Sequence, residues 1–140
     1  MKQYLFVSVI AAIGLAIIGS TLQSSYGASS LAKKGEPAIM VTSAETVYVV
    51  WGSSDPTTNA TEVMFRVSGD GGQTYQDKVN LSNSTGSNST DFDVAATDDN
   101  VIVSWWETNS TTSEPVLRFS IDNGGTFGPI LRLATNGTIG

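Results

Sequence analysis

The 140-residue chain contains no cysteine and no histidine. Without cysteine it cannot form disulfides or build zinc and iron–sulfur sites on thiolates. Without histidine it also lacks the commonest general base and a usual transition-metal ligand, so catalysis would have to rest on carboxylates, tyrosine or lysine. These absences lower the expectation of an enzyme and predict neither a metal site nor a cofactor.

Positive charge is scarce as well. Seven Lys and Arg residues stand against 13 Asp and Glu residues, which gives a formal net charge of −6. Binding to a nucleic-acid backbone requires clustered cations that neutralise phosphates. The composition therefore predicts that nucleic acid is not a partner.

The N-terminal segment has the order of a secretory signal. A lysine precedes an apolar run over residues 4–18, and a polar stretch then ends in the small residues Gly27 and Ala28. Because a membrane span needs about 20 apolar residues, we expect residues 1–27 to be a signal peptide cleaved after Gly27. The alternative is an uncleaved anchor helix followed by a linker over 28–37, which would place the protein at a membrane. Either reading predicts a secreted or cell-surface protein.

Six Asn-x-Ser/Thr sequons follow the leader. They are candidate glycosylation sites, and each would have to lie on the surface of an exported protein. Asn, Ser and Thr are also common turn residues, so the sequons can equally arise from that composition. The candidate residues are Asn59, Asn80, Asn83, Asn88, Asn109 and Asn136.

The rest of the chain is an internal repeat. Val47–Trp51 matches Val101–Trp105 at an offset of 54 residues, and Phe65–Ser68 matches Leu117–Ser120 at an offset of 52. A period of this length is typical of propeller blades or solenoid repeats. The repeat therefore predicts two structurally equivalent units.

Each unit contains four short β-rich runs separated by turn residues, and no window outside the leader has helical periodicity. This pattern predicts an all-β fold with one four-stranded sheet in each unit. The predicted strands are Ala38–Thr42, Thr46–Trp51, Glu62–Ser68 and Lys78–Leu81 in the first unit, and Phe92–Ala96, Val101–Trp106, Val116–Ile121 and Ile130–Leu133 in the second.

The second strand of the first unit is apolar on both faces. Val47, Val49 and Trp51 alternate with Tyr48 and Val50. A strand that is apolar on both faces favours a sheet packed between two neighbours over a hairpin with one wet side. The chain's three tryptophans are accordingly expected between sheets and not on a sugar-binding surface.

The most specific pattern lies between the third and fourth strands of each unit and reads Ser-x-Asp-x-Gly-x-Thr-aromatic. An Asp carboxylate can accept the following backbone N–H groups, Gly allows the positive φ of a reversal, and the hydroxyls satisfy local groups. The aromatic is expected to cover the turn. We call residues 68–75 the first box and residues 120–127 the second box. Their pattern residues are Ser68, Asp70, Gly72, Thr74 and Tyr75, and Ser120, Asp122, Gly124, Thr126 and Phe127.

On these two boxes the chain resembles the BNR or Asp-box family of sialidase-like β-propellers. The resemblance implies two antiparallel propeller-type blades, over residues 38–89 and 90–140, preceded by a signal or anchor helix. It also implies that the boxes cap hairpins and have a structural role.

Sialidases of that family use an arginine cluster, a Tyr-Glu nucleophile pair and an Asp acid/base. This chain has only Arg66, Arg118 and Arg132 after its leader, and the first two are equivalent repeat positions. We therefore assign no catalytic residue.

Other carboxylates offer weaker candidates. Asp91 and Asp93 are two residues apart on a predicted strand and so share a face, as a glycosidase pair could, although a solvated strand entry explains them better. The run 98–100, Asp-Asp-Asn, offers oxygen ligands for Ca²⁺ but lacks a Ca²⁺-loop pattern, and a tight turn explains it.

Two blades alone would leave two apolar faces uncovered, because propellers close with four to eight blades. We therefore expect self-association, for example three or four copies that complete a ring of six or eight blades. The leading functional expectation is a non-catalytic secreted or cell-surface module that binds carbohydrate or another protein. The alternatives are a partial or degenerate exo-α-sialidase-type glycoside hydrolase and a structural component of an extracellular layer.

Overall fold

A computed structural model describes residues 36–42 and 44–133, and over these residues the protein is all-β. All eight predicted strands are present in the predicted order, and they form two four-stranded antiparallel sheets, so that prediction is confirmed. The strands are β1 (Ala38–Val41), β2 (Val47–Ser54), β3 (Thr61–Ser68), β4 (Val79–Asn80), β5 (Asn88–Thr97), β6 (Asn100–Thr108), β7 (Ser113–Ser120) and β8 (Leu131–Arg132).

The predicted signal peptide or anchor over residues 1–27 and the sequon at Asn136 lie outside the described residues. Within the part of the chain that the structure describes, no helix has the length and apolar character needed to span a membrane.

Each sheet is built from strands that are consecutive in the chain, in the orders β1-β2-β3-β4 and β5-β6-β7-β8. Antiparallel neighbours need only tight turns, which the chain supplies at equivalent repeat positions. Between β2 and β3, Oδ1 of Asp55 accepts the backbone N–H of Thr57 at 2.6 Å. Between β6 and β7, Oδ1 of Asn109 accepts the backbone N–H of Thr111 at 2.9 Å. The repeat therefore includes the turns as well as the strands.

The first three strands of the second sheet are longer than the apolar runs that predicted them, whereas β8 is shorter. The sequence predicts the first of them over Phe92–Ala96, whereas β5 extends over Asn88–Thr97. Ladder hydrogen bonds come from the backbone, so polar residues can continue a strand wherever a partner strand continues beside it. The second sheet therefore begins at Asn88.

The two sheets pack face to face around one hydrophobic core. We call the face of each sheet that turns toward the other sheet its inner face, and the opposite face its outer face. Burying a large apolar side chain stabilises the fold by about 1.5–3 kcal/mol, so this layer is the main source of cohesion between the sheets. The inner face of the first sheet carries Ala38, Met40, Tyr48, Val50, Phe65 and Val67, and that of the second sheet carries Phe92, Val94, Val101, Val103, Trp105 and Val116.

The two inner faces are not equivalent in the repeat. Val103 and Trp105 on the inner face of the second sheet correspond to Val49 and Trp51, which the strand alternation puts on the outer face of the first sheet. Each sheet therefore uses the face that the other leaves outside. This is a head-to-tail contact, and among the described residues no further sheet lies on the outer face of either sheet.

Candidate functional site

The first box is a closed hydrogen-bonded turn centred on Asp70. Its Oδ1 accepts the Ser68 hydroxyl at 2.7 Å and the Thr74 backbone N–H at 2.9 Å, and its Oδ2 accepts the Thr74 hydroxyl at 2.5 Å. Oγ of Ser68 also accepts the backbone N–H of Gly72 at 2.9 Å. Gly72 has a φ of 88°, a conformation that L side chains rarely adopt. Both carboxylate oxygens of Asp70 are therefore used to hold the turn.

The second box repeats this network. Oδ1 of Asp122 accepts the Ser120 hydroxyl at 2.7 Å and the Thr126 backbone N–H at 2.8 Å, and its Oδ2 accepts the Thr126 hydroxyl at 2.6 Å. Oγ of Ser120 accepts the backbone N–H of Gly124 at 2.9 Å. The two boxes thus make the same set of bonds with nearly the same lengths, which is what a structural motif requires.

The hydrogen bonds lower the pKa of both box carboxylates. The Thr74 hydroxyl, the Thr74 backbone N–H and the Ser68 hydroxyl lower the pKa of Asp70 from 3.8 to about 2. The Thr126 hydroxyl, the Ser120 hydroxyl and the Thr126 backbone N–H lower the pKa of Asp122 from 3.8 to about 2 as well. All these donors favour the charged form of the acceptor. The carboxylates are therefore held ionised, which suits a turn and does not suit a general acid at neutral pH.

These shifts predict a loss of stability in acid. Since the folded pKa lies below the unfolded pKa, the stabilisation is complete above pH 4 and is lost as the pH falls from about 4 to about 2. We expect an Asp70→Asn/Asp122→Asn double variant to be less stable at pH 7 and to lose less stability over that acid interval. Urea unfolding at several pH values measures both effects.

The matched control is Asp77→Asn, which removes one charge at an exposed position just after the first box. It should keep the acid-dependent loss of the wild-type chain. A double variant whose stability falls between pH 4 and pH 2 as steeply as that of the wild type would show that the box carboxylates do not cause the loss.

The aromatic residues of the two boxes differ in their surroundings. Phe127 packs edge-to-face against Phe65 of the first sheet, with ring centroids 4.9 Å apart. A Cβ on Gly124 would lie only 2.5 Å from Cζ of Phe65, so the second box rests directly on that ring. Tyr75 of the first box is 38% exposed. The second box therefore both caps its hairpin and joins the two sheets, whereas the first box has no such neighbour among the described residues.

A second set of contacts ties the second box to the first sheet. The Tyr48 hydroxyl donates to Oδ1 of Asn123 at 3.2 Å, and burial, with a smaller contribution from Asp99, raises the pKa of this hydroxyl. Nδ2 of Asn123 donates to Oδ1 of Asp99 at 2.8 Å. Asp99 lies in the two-residue loop between β5 and β6 and so has a structural partner there. No group of three or more acidic residues that could hold a metal ion occurs within residues 36–42 and 44–133.

The carboxylates Asp91 and Asp93 are separated by a β-bulge. The register of β5 against β6 shifts between Thr90 and Asp93, and Asp91 has a φ of 50°. An extra residue in one strand breaks the period of two, so the expected shared face does not follow there. Oδ1 of Asp93 accepts the backbone N–H of Val94 at 2.8 Å.

The bulge lines a cleft of about 250 Å³ at the ends of the two sheets. Gly52, Ser54 and Thr61 form one wall, and residues 89–92 form the other. The backbone N–H of Thr61 donates to Oδ1 of Asn88 at 3.0 Å, which fixes the two sheet ends beside each other. The cleft is small and shallow, and its lining residues do not converge on one point.

The three arginines do not converge. Arg66 is the register partner of Val49 and lies on the outer face of the first sheet. Arg118 is the register partner of Val103 and lies on the inner face of the second sheet. Arg132 forms an ion pair with Glu114. The arrangement supplies no arginine cluster that could hold a carboxylate ligand.

Two carboxylates that were not expected from the sequence, Glu62 and Glu107, are buried. Oε2 of Glu107 accepts the indole N–H of Trp105 at 2.6 Å and the Ser89 hydroxyl at 3.2 Å. Glu62 accepts the Ser82 hydroxyl and, at 3.1 Å, the backbone N–H of Ser84. Buried polar groups with such partners stabilise loops and strand ends. The sequence signal for these two buried residues is a charged side chain within an otherwise apolar strand.

Five of the six predicted sequons lie within the described residues. Asn59, Asn83, Asn88 and Asn109 are exposed, whereas Asn80 is partly buried and its Oδ1 accepts the backbone N–H of Asn83 at 2.9 Å. Asn59 and Asn109 lie in the hairpin loops at the end of the sheets remote from the boxes, and Asn88 lies at the same end. Four sequons are thus accessible as candidate glycan acceptors.

The second sheet exposes an apolar outer face. Ile102 is 41% exposed, Trp106 is 43% exposed and Phe119 is 37% exposed. Ile102 pairs directly with Phe119 across β6 and β7, and Trp106 pairs with Pro115, so these side chains form a continuous surface. The expectation that all three tryptophans lie between sheets is wrong for Trp106 and for Trp51, because each lies on an outer face that no other sheet among the described residues covers. Exposed apolar surface of this kind marks an interaction site more often than a monomer surface.

Comparisons of the chain with protein-family models, with curated proteins and with solved structures find no match.

Proposed function

We propose that this chain is an exported Asp-box repeat protein of the sialidase-like propeller class and acts as a non-catalytic interaction module at the cell surface or outside the cell. The observation that carries the proposal is the outer face of the second sheet, where Ile102, Trp106 and Phe119 are exposed together. An exposed apolar face that no described element covers favours a role in binding.

The carboxylate chemistry supports a non-catalytic role. The carboxylates of Asp70 and Asp122 have their oxygens occupied by box hydrogen bonds, and those of Glu62 and Glu107 are buried against hydroxyl, amide or indole donors. A glycosidase needs two carboxyl groups facing each other across a space for the substrate. These four carboxylates are instead used to hold turns and strand ends.

A fluorogenic sialoside assay separates the module from its main alternative, a partial or degenerate sialidase. We expect the wild-type chain and the Asp70→Asn variant to give the same rate as buffer. Turnover by the wild-type chain that is lost in an Asp91→Asn or Asp93→Asn variant would overturn the non-catalytic assignment. The third alternative, a structural component of an extracellular layer, predicts occupied sequons, which mass spectrometry of the exported protein would show.

Carbohydrate binding is a second candidate function, and the exposure of Trp106 favours it specifically. An indole ring on an open sheet surface can stack against the apolar face of a sugar. A glycan array should then give signals that disappear in Trp106→Ala and persist in Ile121→Ala, a control that removes an exposed apolar side chain of the second box. If the array gives no signals, we expect the partner of this face to be a protein surface.

A further inference from the structure

The exposed outer face of the second sheet is the repeat equivalent of a face that is already buried in the structure. Ile102 corresponds to Tyr48, Leu117 to Phe65 and Phe119 to Val67. In the first sheet Tyr48 is 0%, Phe65 1% and Val67 5% exposed, because the second sheet covers them. The outer face of the second sheet is thus equivalent to a face that binds a sheet, but no sheet among the described residues covers it.

The matching surface is the outer face of the first sheet. Val49 and Trp51 there are partly exposed, whereas Val47 and Met64 on the same face are each only 8% exposed. Val103 and Trp105, the equivalents of Val49 and Trp51, are buried in the contact between the sheets, at 0% and 1% exposure. The two surfaces that meet inside the chain therefore each occur a second time. One is the outer face of the first sheet and the other is the outer face of the second sheet. Repeating the internal head-to-tail step would place the first sheet of another copy on the second sheet of this one.

The first box supports this step. In the internal contact, Gly124 and Phe127 of the second box rest on Phe65. The first box makes the same hydrogen bonds as the second and carries Gly72 and Tyr75 at the equivalent positions. In a second copy placed by the same step, these two residues would rest on Leu117, the equivalent of Phe65, which would cover the exposed Tyr75 ring.

From these observations we infer that the outer face of the second sheet binds the outer face of the first sheet in a second copy of this chain. The inference rests on the proposed function as an interaction module and names its partner. Each copy uses the outer face of its first sheet toward one neighbour and the outer face of its second sheet toward the other. The association is therefore head-to-tail and can continue until a ring closes.

Single-face variants test the inference by sedimentation velocity on the full chain. Ile102→Glu alters the second sheet's outer face, and Val49→Lys alters the first sheet's outer face. We expect either change to weaken association by about 100-fold or more, since each would bury an unpaired charge. The matched control is Ile121→Glu, at a residue that is 71% exposed and lies just beyond the end of β7, and it should associate like the wild type. Circular dichroism shows whether each variant is folded.

Mixing the two variants gives the sharpest result. Each retains the face that the other lacks, so the mixture should form a 1:1 dimer although neither variant associates alone. A wild-type chain that stays monomeric would overturn the inference and leave the face to another occupant, such as residues 1–35 of the same chain. Wild-type association that survives Ile102→Glu, or folded variants that fail to pair, would also overturn it.

The outcome for the proposed function is separate. If the wild type is monomeric but Ile102→Glu or Trp106→Ala abolishes binding on a glycan array, the face is a binding site for another partner, and only the inference about a second copy fails.

Discussion

Replacing Trp105 with alanine is expected to lower the free energy of unfolding by about 3–5 kcal/mol, the usual cost of removing a large aromatic from a packed core. Trp105 is 1% exposed and fills the inner face of the second sheet. The change also removes the indole N–H that donates to Oε2 of the buried Glu107 at 2.6 Å, which leaves that carboxylate with one donor fewer. Urea unfolding followed by circular dichroism gives the difference.

The repeat supplies the matched control. Trp51 occupies the equivalent position in the first sheet but lies on its outer face and is partly exposed. Trp51→Ala should therefore cost clearly less, when both variants are measured at concentrations where the chain is monomeric. Equal losses of stability for Trp51→Ala and Trp105→Ala would mean that the two tryptophans are equally buried. That result would contradict the head-to-tail packing of the sheets.

Gly124→Ala is the second change with a large expected effect. A Cβ at this position would lie 2.5 Å from Cζ and 2.8 Å from Cε1 of Phe65, and the ring is itself buried in the core. Overpacking of this kind typically costs about 1–3 kcal/mol, in addition to the strain of a non-glycine residue at a φ of 83°. Thermal or urea unfolding measures the total.

Gly72→Ala separates the two contributions. Gly72 has nearly the same φ, 88°, but an added Cβ would meet only the Tyr75 hydroxyl at 3.1 Å and a methyl group of Val47 at 3.9 Å. The Tyr75 ring is exposed and can shift, so this variant reports the backbone strain alone. Gly124→Ala should be the less stable of the two by about 1–3 kcal/mol. Equal stabilities would show that the second box does not rest on Phe65.

Much of the fold could be predicted from the sequence because its signals are local. Alternating apolar runs bounded by turn residues predicted all eight strands in order. The box residues lie within eight positions of each other, so their turn could also be anticipated. Asp70 and Asp122 do hold their hairpins in the way that the pattern suggested.

The rest depends on which face of each sheet meets the other, and that is not a local property. Val49 and Val103 are equivalent valines in equivalent strands, yet one lies on an outer face and the other in the core. The bulge at Asp91 and the exposure of Trp106 follow from the same long-range packing. A pattern that repeats in sequence cannot by itself show where a repeated structure begins and ends.

The inequivalence of the two faces connects the fold to the proposed function. A contact between equivalent faces would bury both and end the assembly, whereas a head-to-tail contact leaves a donor face and an acceptor face available. The second box strengthens this contact from outside the strands, since Phe127 adds an aromatic pair to the apolar layer. Under the proposal that the chain binds a second copy of itself, the two outer faces are where that copy would bind.

The most direct test of this packing is a two-dimensional NOE spectrum of the monomeric protein with assigned aromatic rings. The head-to-tail contact predicts cross-peaks between the ring protons of Phe65 and Phe127, whose centroids are 4.9 Å apart. If Phe65 instead shows cross-peaks to Tyr75 and none to Phe127, the second box does not dock on the first sheet, and the packing described for the two sheets is contradicted.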